Sequence, residues 1–480
     1  MEMLQPSLEY FAEKLSSYTV NTFKLQPSGK TDSISSNDVV SINLPSNSLI
    51  DLDSFQLHMN VGCTGTAGRL SDISHLFSSV DIYVGGVQLS ASNPYYNVLC
   101  ALKNAVSWDH ANPVTGHSKI VRAQSQSSPV AMAGSEKTLG TDTASGSQYM
   151  SSAESPYAVT QWQGWIGTIQ PRILDTSLLG PVSIRITMAP NSVLTDSANL
   201  VPPTLSLFSA NLTDAQPPVV VGPPNFTTAH VGTASYTCRG VYATIDCCSM
   251  IGSAYDSIVD RRLNEGNGLE LPFKNIFSQS QAHNGVSSMS VSTQSLDRVW
   301  CAFRASSDIL SSSATIPKYR DYNVQGAPIL APGYVVDRMP SLHPEGLEKY
   351  VAPTFTFCAL GPSNSIYLTV NNTSIPQYPL SFSDVAAYTS SNLQDGEYFP
   401  ENLSMLEFAT TRNVFCTRLN LPGAESARQI SGLDTRNSSA LLKLNTQGTL
   451  FPGHTVDSMV FMECSSSMMV SPGRQCVVVQ

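Results

Sequence analysis

Apolar side chains recur at every second position through much of this chain, which restricts it to strands with one buried face. Val40, Ile42 and Leu44 alternate with Ser41 and Asn43, and Pro45-Ser46-Asn47-Ser48 then makes a turn. Ile50 and Leu52 continue on one parity; Phe55, Leu57, Met59 and Val61 follow on the other, which requires a β-bulge near Ser54. Val182, Ile184, Ile186 and Met188 alternate with Ser183, Arg185 and Thr187, and Val241, Ala243, Ile245 and Cys247 with Tyr242, Thr244 and Asp246. Many such strands between Gly/Pro/Ser/Asn turns point to sandwiches or barrels rather than a parallel α/β sheet.

The 480 residues exceed what one hydrophobic core usually serves, so two domains are expected. Three Pro-Pro pairs (Pro202-Pro203, Pro217-Pro218, Pro223-Pro224) predict a stiff linker over residues 201–231. It would separate a first sandwich over 17–200, preceded by an arm or helix at 1–16, from a second over 232–480. The halves echo each other in order. Ser17-Tyr18-Thr19-Val20 matches Ser235-Tyr236-Thr237-Cys238. Val80–Val84 with Gly85-Gly86 matches Ile366–Val370 with Asn371-Asn372, and Leu174-Asp175-Thr176 matches Leu433-Asp434-Thr435. Gly-Gly and Asn-Asn both tolerate the positive φ that a two-residue type I′ hairpin requires.

Helices are few. One opens at Asn93-Pro94 and carries Tyr95, Leu99, Leu102 and Val106 on one side. Another is expected from Ser253 to Gly266, and a third from Ser7 to Leu15, which either docks on a neighbour or caps its own domain. Residues 123–160 and 305–350 read as long surface loops suited to an interaction.

Only 13% of residues are charged, and the net charge is −10. About 25% charged is typical of soluble domains, so such a surface suits a protein whose sides are covered by neighbours. The acidic balance, with Arg261-Arg262 as the densest basic pair, argues against specific nucleic-acid binding. Met1-Glu2-Met3-Leu4-Gln5-Pro6 lacks the cationic start and apolar core of an export signal. The ten dispersed cysteines are therefore expected to stay reduced, assembly taking place in a reducing compartment without secretion.

No catalytic, cofactor-binding or metal-binding residue is expected, and no cofactor. Ser28-Gly29-Lys30-Thr31 imitates the end of a phosphate-binding loop, but Lys24 stands where that loop needs glycine. The eight histidines lack metal-ligand spacing, and His58 falls on the polar parity of its strand. Asp51 and Asp53 share a strand face that could hold a cation, or simply be solvated. No Gly-X-Ser-X-Gly elbow occurs.

Asp38–Val61, the hairpin and helix of Val80–Asn104, Leu269-Glu270-Leu271-Pro272-Phe273 and the closing run Met459–Val479 resemble the double jelly-roll major capsid proteins of icosahedral double-stranded DNA viruses. The resemblance is to those of polinton-like viruses, virophages and small relatives of the nucleocytoplasmic large DNA viruses. It implies an all-β fold of two consecutive eight-stranded antiparallel jelly-roll sandwiches with a few short helices in loops. It further implies a non-enzymatic shell protein located in the virion. Homotrimers with a pseudo-hexagonal footprint would contact one another and minor capsid and penton proteins. A trimeric adhesin or carbohydrate-binding β-sandwich protein is the alternative reading of the same features.

Overall fold

The computed structural model describes residues 18–64, 68–69, 73–89, 93–107, 154–191, 195–196, 219–220, 235–250, 259, 261, 263, 268–305, 335–336, 365–371, 373–393, 415–421, 431–436, 441–448, 456–471 and 475–479. The chain begins with β1 (Tyr18–Leu25), β2 (Val39–Asn43), β3 (Leu49–Thr64), β4 (Gly68–Arg69), β5 (Phe77–Val84) and β6 (Val87–Gln88). Helix α1 (Tyr96–Ser107) follows, then β7 (Glu154–Val159), α2 (Trp165–Thr168), β8 (Ile173–Asp175), β9 (Val182–Met188) and β10 (Thr195–Asp196). Next come β11 (Val219–Val220), β12 (Ser235–Met250), β13 (Leu269–His283), β14 (Val286–Ser290), β15 (Leu296–Ala305) and β16 (Val335–Val336). The last elements are β17 (Ser365–Val370), β18 (Thr373–Ser381), α3 (Phe382–Leu393), β19 (Phe415–Arg418), β20 (Leu441–Gln447), β21 (Val456–Ser471) and β22 (Gln475–Val479).

Pairing among these strands builds two sandwiches of the same design. One sheet of the first runs β1-β12-β3-β7, with β8 also on β3, and the facing sheet runs β2-β9-β5-β6. The second sandwich repeats this as β13-β21-β15-β19, with β22 added on β21, facing β14-β20-β17-β18. Counted within each sandwich, the orders are first-eighth-third-sixth and second-seventh-fourth-fifth, all antiparallel. That is the jelly roll, whose closure leaves few edges. Two-residue ladders, β4 with β10 and β11 with β16, lie outside the sandwiches.

The expected boundary at 201–231 is corrected by this topology. β12 lies between β1 and β3 as the eighth strand of the first sandwich. Its Tyr236, Cys238, Val241, Ala243, Ile245 and Cys247 enter the first core, and the Tyr236 hydroxyl donates to the Ala189 carbonyl. The Pro-rich segment is therefore a connection within the first jelly roll, and the second begins with β13. The Ser-Tyr-Thr echo falls with it, because Tyr18 opens a first strand and Tyr236 an eighth. The other two echoes occupy equivalent places. Val84 pairs with Val87 across Gly85-Gly86, and Val370 pairs with Thr373, where Asn371 has φ 47°. Leu174 and Leu433 each precede a seventh strand, β9 and β20.

The parity switch in β3 is a bulge: Thr244 pairs with Gln56, whereas Asp246 pairs with Asp51. Ser54 stitches it, its hydroxyl donating to the Asp51 carbonyl (2.6 Å) and accepting from the Asp246 N–H (2.8 Å). Leu52 and Phe55 both reach the core as a result. Asn93 caps α1 as expected, its Oδ1 accepting from the Tyr95 N–H at 3.1 Å. Of the Ser253–Gly266 expectation, Val259, Arg261 and Leu263 are helical; the proposed Ser7–Leu15 helix lies outside the described residues. So does most of the two loops, although β7 and the β16 ladder show regular structure at 154–159 and 335–336.

Candidate functional site

The most highly constructed region is the junction where the two sandwiches meet. The outer face of the sheet holding β13, β21 and β15 is covered by elements of the first sandwich. Helix α1 sends Val98, Leu99 and Leu102 into the second core while Tyr96 and Cys100 pack into the first. An amphipathic helix needs only one apolar face. With two, α1 belongs to both sandwiches. In the opposite direction, Phe273, Met468 and Val470, at the ends of long strands of the second sandwich, join the first core.

Charge is buried in this junction, where it costs most unless paired. Lys103 of α1 lies 3.6 Å from Glu463 of β21, and Trp300 Nε1 donates to Glu463 Oε2 at 3.3 Å. Burial works to raise the Glu463 pKa, but the charges of Lys103, Arg298 and Lys274 and the Trp300 bond outweigh it and hold the pKa at about 2. Beside this pair, Lys274 Nζ donates to Asp297 Oδ2 (2.6 Å) and to Ser465 Oγ (2.8 Å). The Ser465 and Ser295 hydroxyls both donate to Asp297 at 2.7 Å, and Ser295 Oγ accepts from the Gly432 N–H. A Cβ at Gly432 would come within 2.5 Å of the Asp297 carboxylate and the Leu296 carbonyl, so glycine is required there.

Backbone bonds complete the seam. Gln170 N–H donates to the Pro272 carbonyl (2.9 Å), and Lys274 N–H to Thr168 Oγ1 (2.8 Å). These occupy the edge of β13 that no described strand covers. Such an arrangement fixes the two sandwiches in one relative position; it presents no nucleophile or base to solvent.

The residues singled out in the sequence are engaged structurally. Lys30, in the phosphate-loop imitation, pairs with Asp38 at 3.3 Å, and the backbone N–H of Ser35 helps lower the Asp38 pKa. Asp53 takes Arg172 at 2.7 Å, while Asp51 Oδ1 accepts from the Asp53 N–H, so the pair serves the bulge. His58 does face outward, but half-buried: it stacks on Tyr242 (4.7 Å) and bonds Thr244 Oγ1 at 3.0 Å. Among the described residues no three His, Cys, Asp or Glu side chains converge as a metal site. No described helix is long and apolar enough to cross a membrane. Eight described cysteines are free. Cys247 points into the core and Cys248 outward, as alternate strand residues must. Burial pushes the Cys238 and Cys416 thiols up to about 12, leaving them unreactive at neutral pH.

One buried histidine gives the second sandwich a pH response. His283 is 5% exposed, with Ser287 Oγ 2.5 Å from Nδ1 and Thr446 Oγ1 2.6 Å from Nε2. Ser287 also bonds Ser458, so the cluster ties both sheets together at one end. Burial lowers the His283 pKa from 6.5 to about 4. The unfolded chain therefore binds an extra proton between those values. Stability from this group is complete above pH 6.5 and falls by roughly 2–3 kcal/mol as pH drops toward 4. Denaturant midpoints measured across that range should show the slope in the native protein and a shallower one in His283→Gln. Equal slopes would contradict the assignment.

Lys103 and Glu463 were not foreseen in the sequence, although both carried a signal. Each is a lone charge in an apolar run, Leu99 to Val106 and Met459 to Cys464, where an unpaired charge is costly. Helix α3 was also missed: Ser381 and Asp384 form a capping box, Asp384 Oδ2 accepting from the Ser381 N–H at 3.2 Å.

No protein-family model and no curated protein sequence matches the chain. Solved structures do match its fold. A chain of the PBCV-1 virus capsid superposes with a TM-score of 0.54 at 11% identity, covering 96% of this chain and 97% of that one. The Faustovirus major capsid protein gives 0.53 at 11% identity, covering 95% and 91%. At such identity the likeness concerns fold, and over nearly its whole length this chain has the double jelly-roll fold of those viral capsid proteins.

Proposed function

We propose that this chain is the major capsid protein of an icosahedral DNA virus, a structural protein without enzymatic activity. It assembles as homotrimers whose six upright sandwiches give a near-hexagonal footprint, and these tile the facets of the shell. Its partners are other copies of itself, within and between capsomers, together with minor capsid and penton proteins. Its place is the virion. The observation that carries this reading is the rigid coupling of two like sandwiches through α1 and the buried charges, in a fold shared end to end with the PBCV-1 capsid chain. A surface with 13% charge is suited to being covered by neighbours rather than repelling them.

Light scattering of the purified protein at sub-micromolar concentration tests the proposal. A trimer, at three times the chain mass with little stable monomer, is the expected result. A well-folded, cooperative monomer would overturn it.

A further inference from the structure

We propose that Lys274 and Asp297 condense with each other in the folded chain, forming an isopeptide bond that staples β13 to β15 across β21. The bond lies within one chain and does not depend on how copies assemble.

The sheet itself brings the two side chains together. Lys274 of β13 stands directly opposite Ser465 of β21. On the other side of β21, Leu296 pairs with Cys464 and Arg298 with Glu463, so Asp297 is the extra residue of a bulge. A bulge re-aims a side chain out of its strand's regular alternation. Here the Asp297 carboxylate meets Ser465, whose short side chain lets Lys274 reach across β21 to it. Lys274 Nζ lies 2.6 Å from Asp297 Oδ2, and the two side chains are only 9% and 3% exposed. Lys30 and Asp38, an ordinary surface pair, are 3.3 Å apart and 64% and 27% exposed. A contact as short as that of Lys274 leaves the amine close to the roughly 3–3.5 Å from the carboxyl carbon at which near-attack arrangements react.

The surroundings equip the pair for condensation as well as for attraction. Ser465 Oγ accepts from Lys274 Nζ at 2.8 Å and donates to Asp297 Oδ2 at 2.7 Å, so it bridges the nucleophile and the leaving oxygen. Ser295 Oγ donates to the other oxygen, Oδ1, at 2.7 Å and accepts from the Gly432 N–H at 2.9 Å. Gly432 lies so near Oδ1 that not even a Cβ would fit between them, which helps to exclude water.

The atoms balance without a co-reactant. The Lys274 ammonium carries three protons. It passes one to Asp297 Oδ2 along their hydrogen bond, leaving a neutral amine and a neutral carboxylic acid. Nζ then attacks Cγ, and Oδ1 takes the negative charge under the Ser295 hydroxyl, as in an oxyanion hole. A second proton passes from Nζ through Ser465 to Oδ2. The Cγ–Oδ2 bond breaks, water departs, and the third proton stays on the amide.

Burial favours the product. A buried ion pair is costly to desolvate even when well bonded, whereas the amide carries no charge. Its carbonyl keeps the Ser295 bond, and its N–H keeps Ser465 as acceptor. One cation and one anion vanish together, so the net charge of the junction is unchanged and Glu463 still faces Lys103 and Arg298. In the unfolded chain the same two groups are hydrated and apart, so the bond forms only after folding.

Mass spectrometry of the purified full-length protein, folded and held at neutral pH, tests this. The intact mass should fall below the sequence mass by one water, about 18 Da. In an unmodified chain trypsin cuts after Lys274 and gives peptides 263–274 and 275–298. The isopeptide blocks that cut and leaves one peptide, 263–298, lighter by the same water. Lys274→Arg should restore the full mass. Ser465→Ala, with circular dichroism unchanged, should leave a large fraction uncondensed. The measurement on the native chain decides the matter even if either variant fails to fold. Full mass with cleavage after Lys274 overturns the inference. Loss of water with that cleavage intact also overturns it, because the dehydration then lies elsewhere.

Discussion

Replacing Glu463 by alanine is expected to destabilise the protein by about 3–5 kcal/mol, because it strands buried cations without their counter-charge. Lys103, Arg298 and Lys274 all act on this carboxylate, and Trp300 loses its acceptor. The loss should appear as a lower denaturant midpoint and as early separation of the two sandwiches, since Lys103 and Glu463 come from different ones. Lys103→Met combined with Glu463→Gln should recover part of it, as apolar or neutral replacement of both partners avoids an orphaned charge. Two single variants whose costs simply add to that of the double would contradict the coupling. Acid separates this pair from His283. A carboxylate with a depressed pKa contributes stability above its unfolded value of 4.5 and loses it as pH falls toward 2. The histidine acts between 6.5 and 4.

Trp162→Ala carries the second large expected effect, about 3–5 kcal/mol for removing a buried tryptophan and leaving its cavity. Its ring lies parallel to Phe77 at 6.0 Å and tilted on Phe55 at 5.3 Å, and its Nε1 donates to the Phe55 carbonyl. Phe55 is the first core residue after the bulge, so Trp162 holds the parity switch of β3 in place. A Cβ on Gly167 would clash with the Trp162 carbonyl, so α2 packs directly on the Trp162 backbone and glycine is required there. Trp162→Phe should cost less, retaining an aromatic contact while losing the hydrogen bond. Unfolding followed by tryptophan fluorescence and circular dichroism measures both. A Trp162→Ala cost near that of a surface substitution would remove Trp162 from the core.

How far the sequence carries can be followed residue by residue. Alternation at Val40–Leu44, the parity switch after Leu52, the Asn93 cap and the two positive-φ hairpins are local signals, each encoded within a few residues, and each has its counterpart in the fold. The domain boundary is not local. A jelly roll is closed by its eighth strand, brought back beside the first, so proline pairs that fall in sequence between its seventh strand β9 and its eighth strand β12 look like a linker between domains. What identifies β12 is its ladder with β1 and β3, which composition does not contain. The junction was hidden for a related reason. Lys103 and Glu463 stand 360 residues apart in the sequence (463 − 103), and each looks like an isolated polar intrusion in an apolar strand or helix until its partner is placed beside it.

Electron cryo-microscopy of the purified protein tests the central claim most directly. The account predicts a three-fold particle in which six sandwiches stand side by side around the axis, alternating first and second, with no free β1 edge at its perimeter. A particle with any other symmetry, or isolated chains with the outer face of β1, β12 and β3 open to solvent, would contradict it.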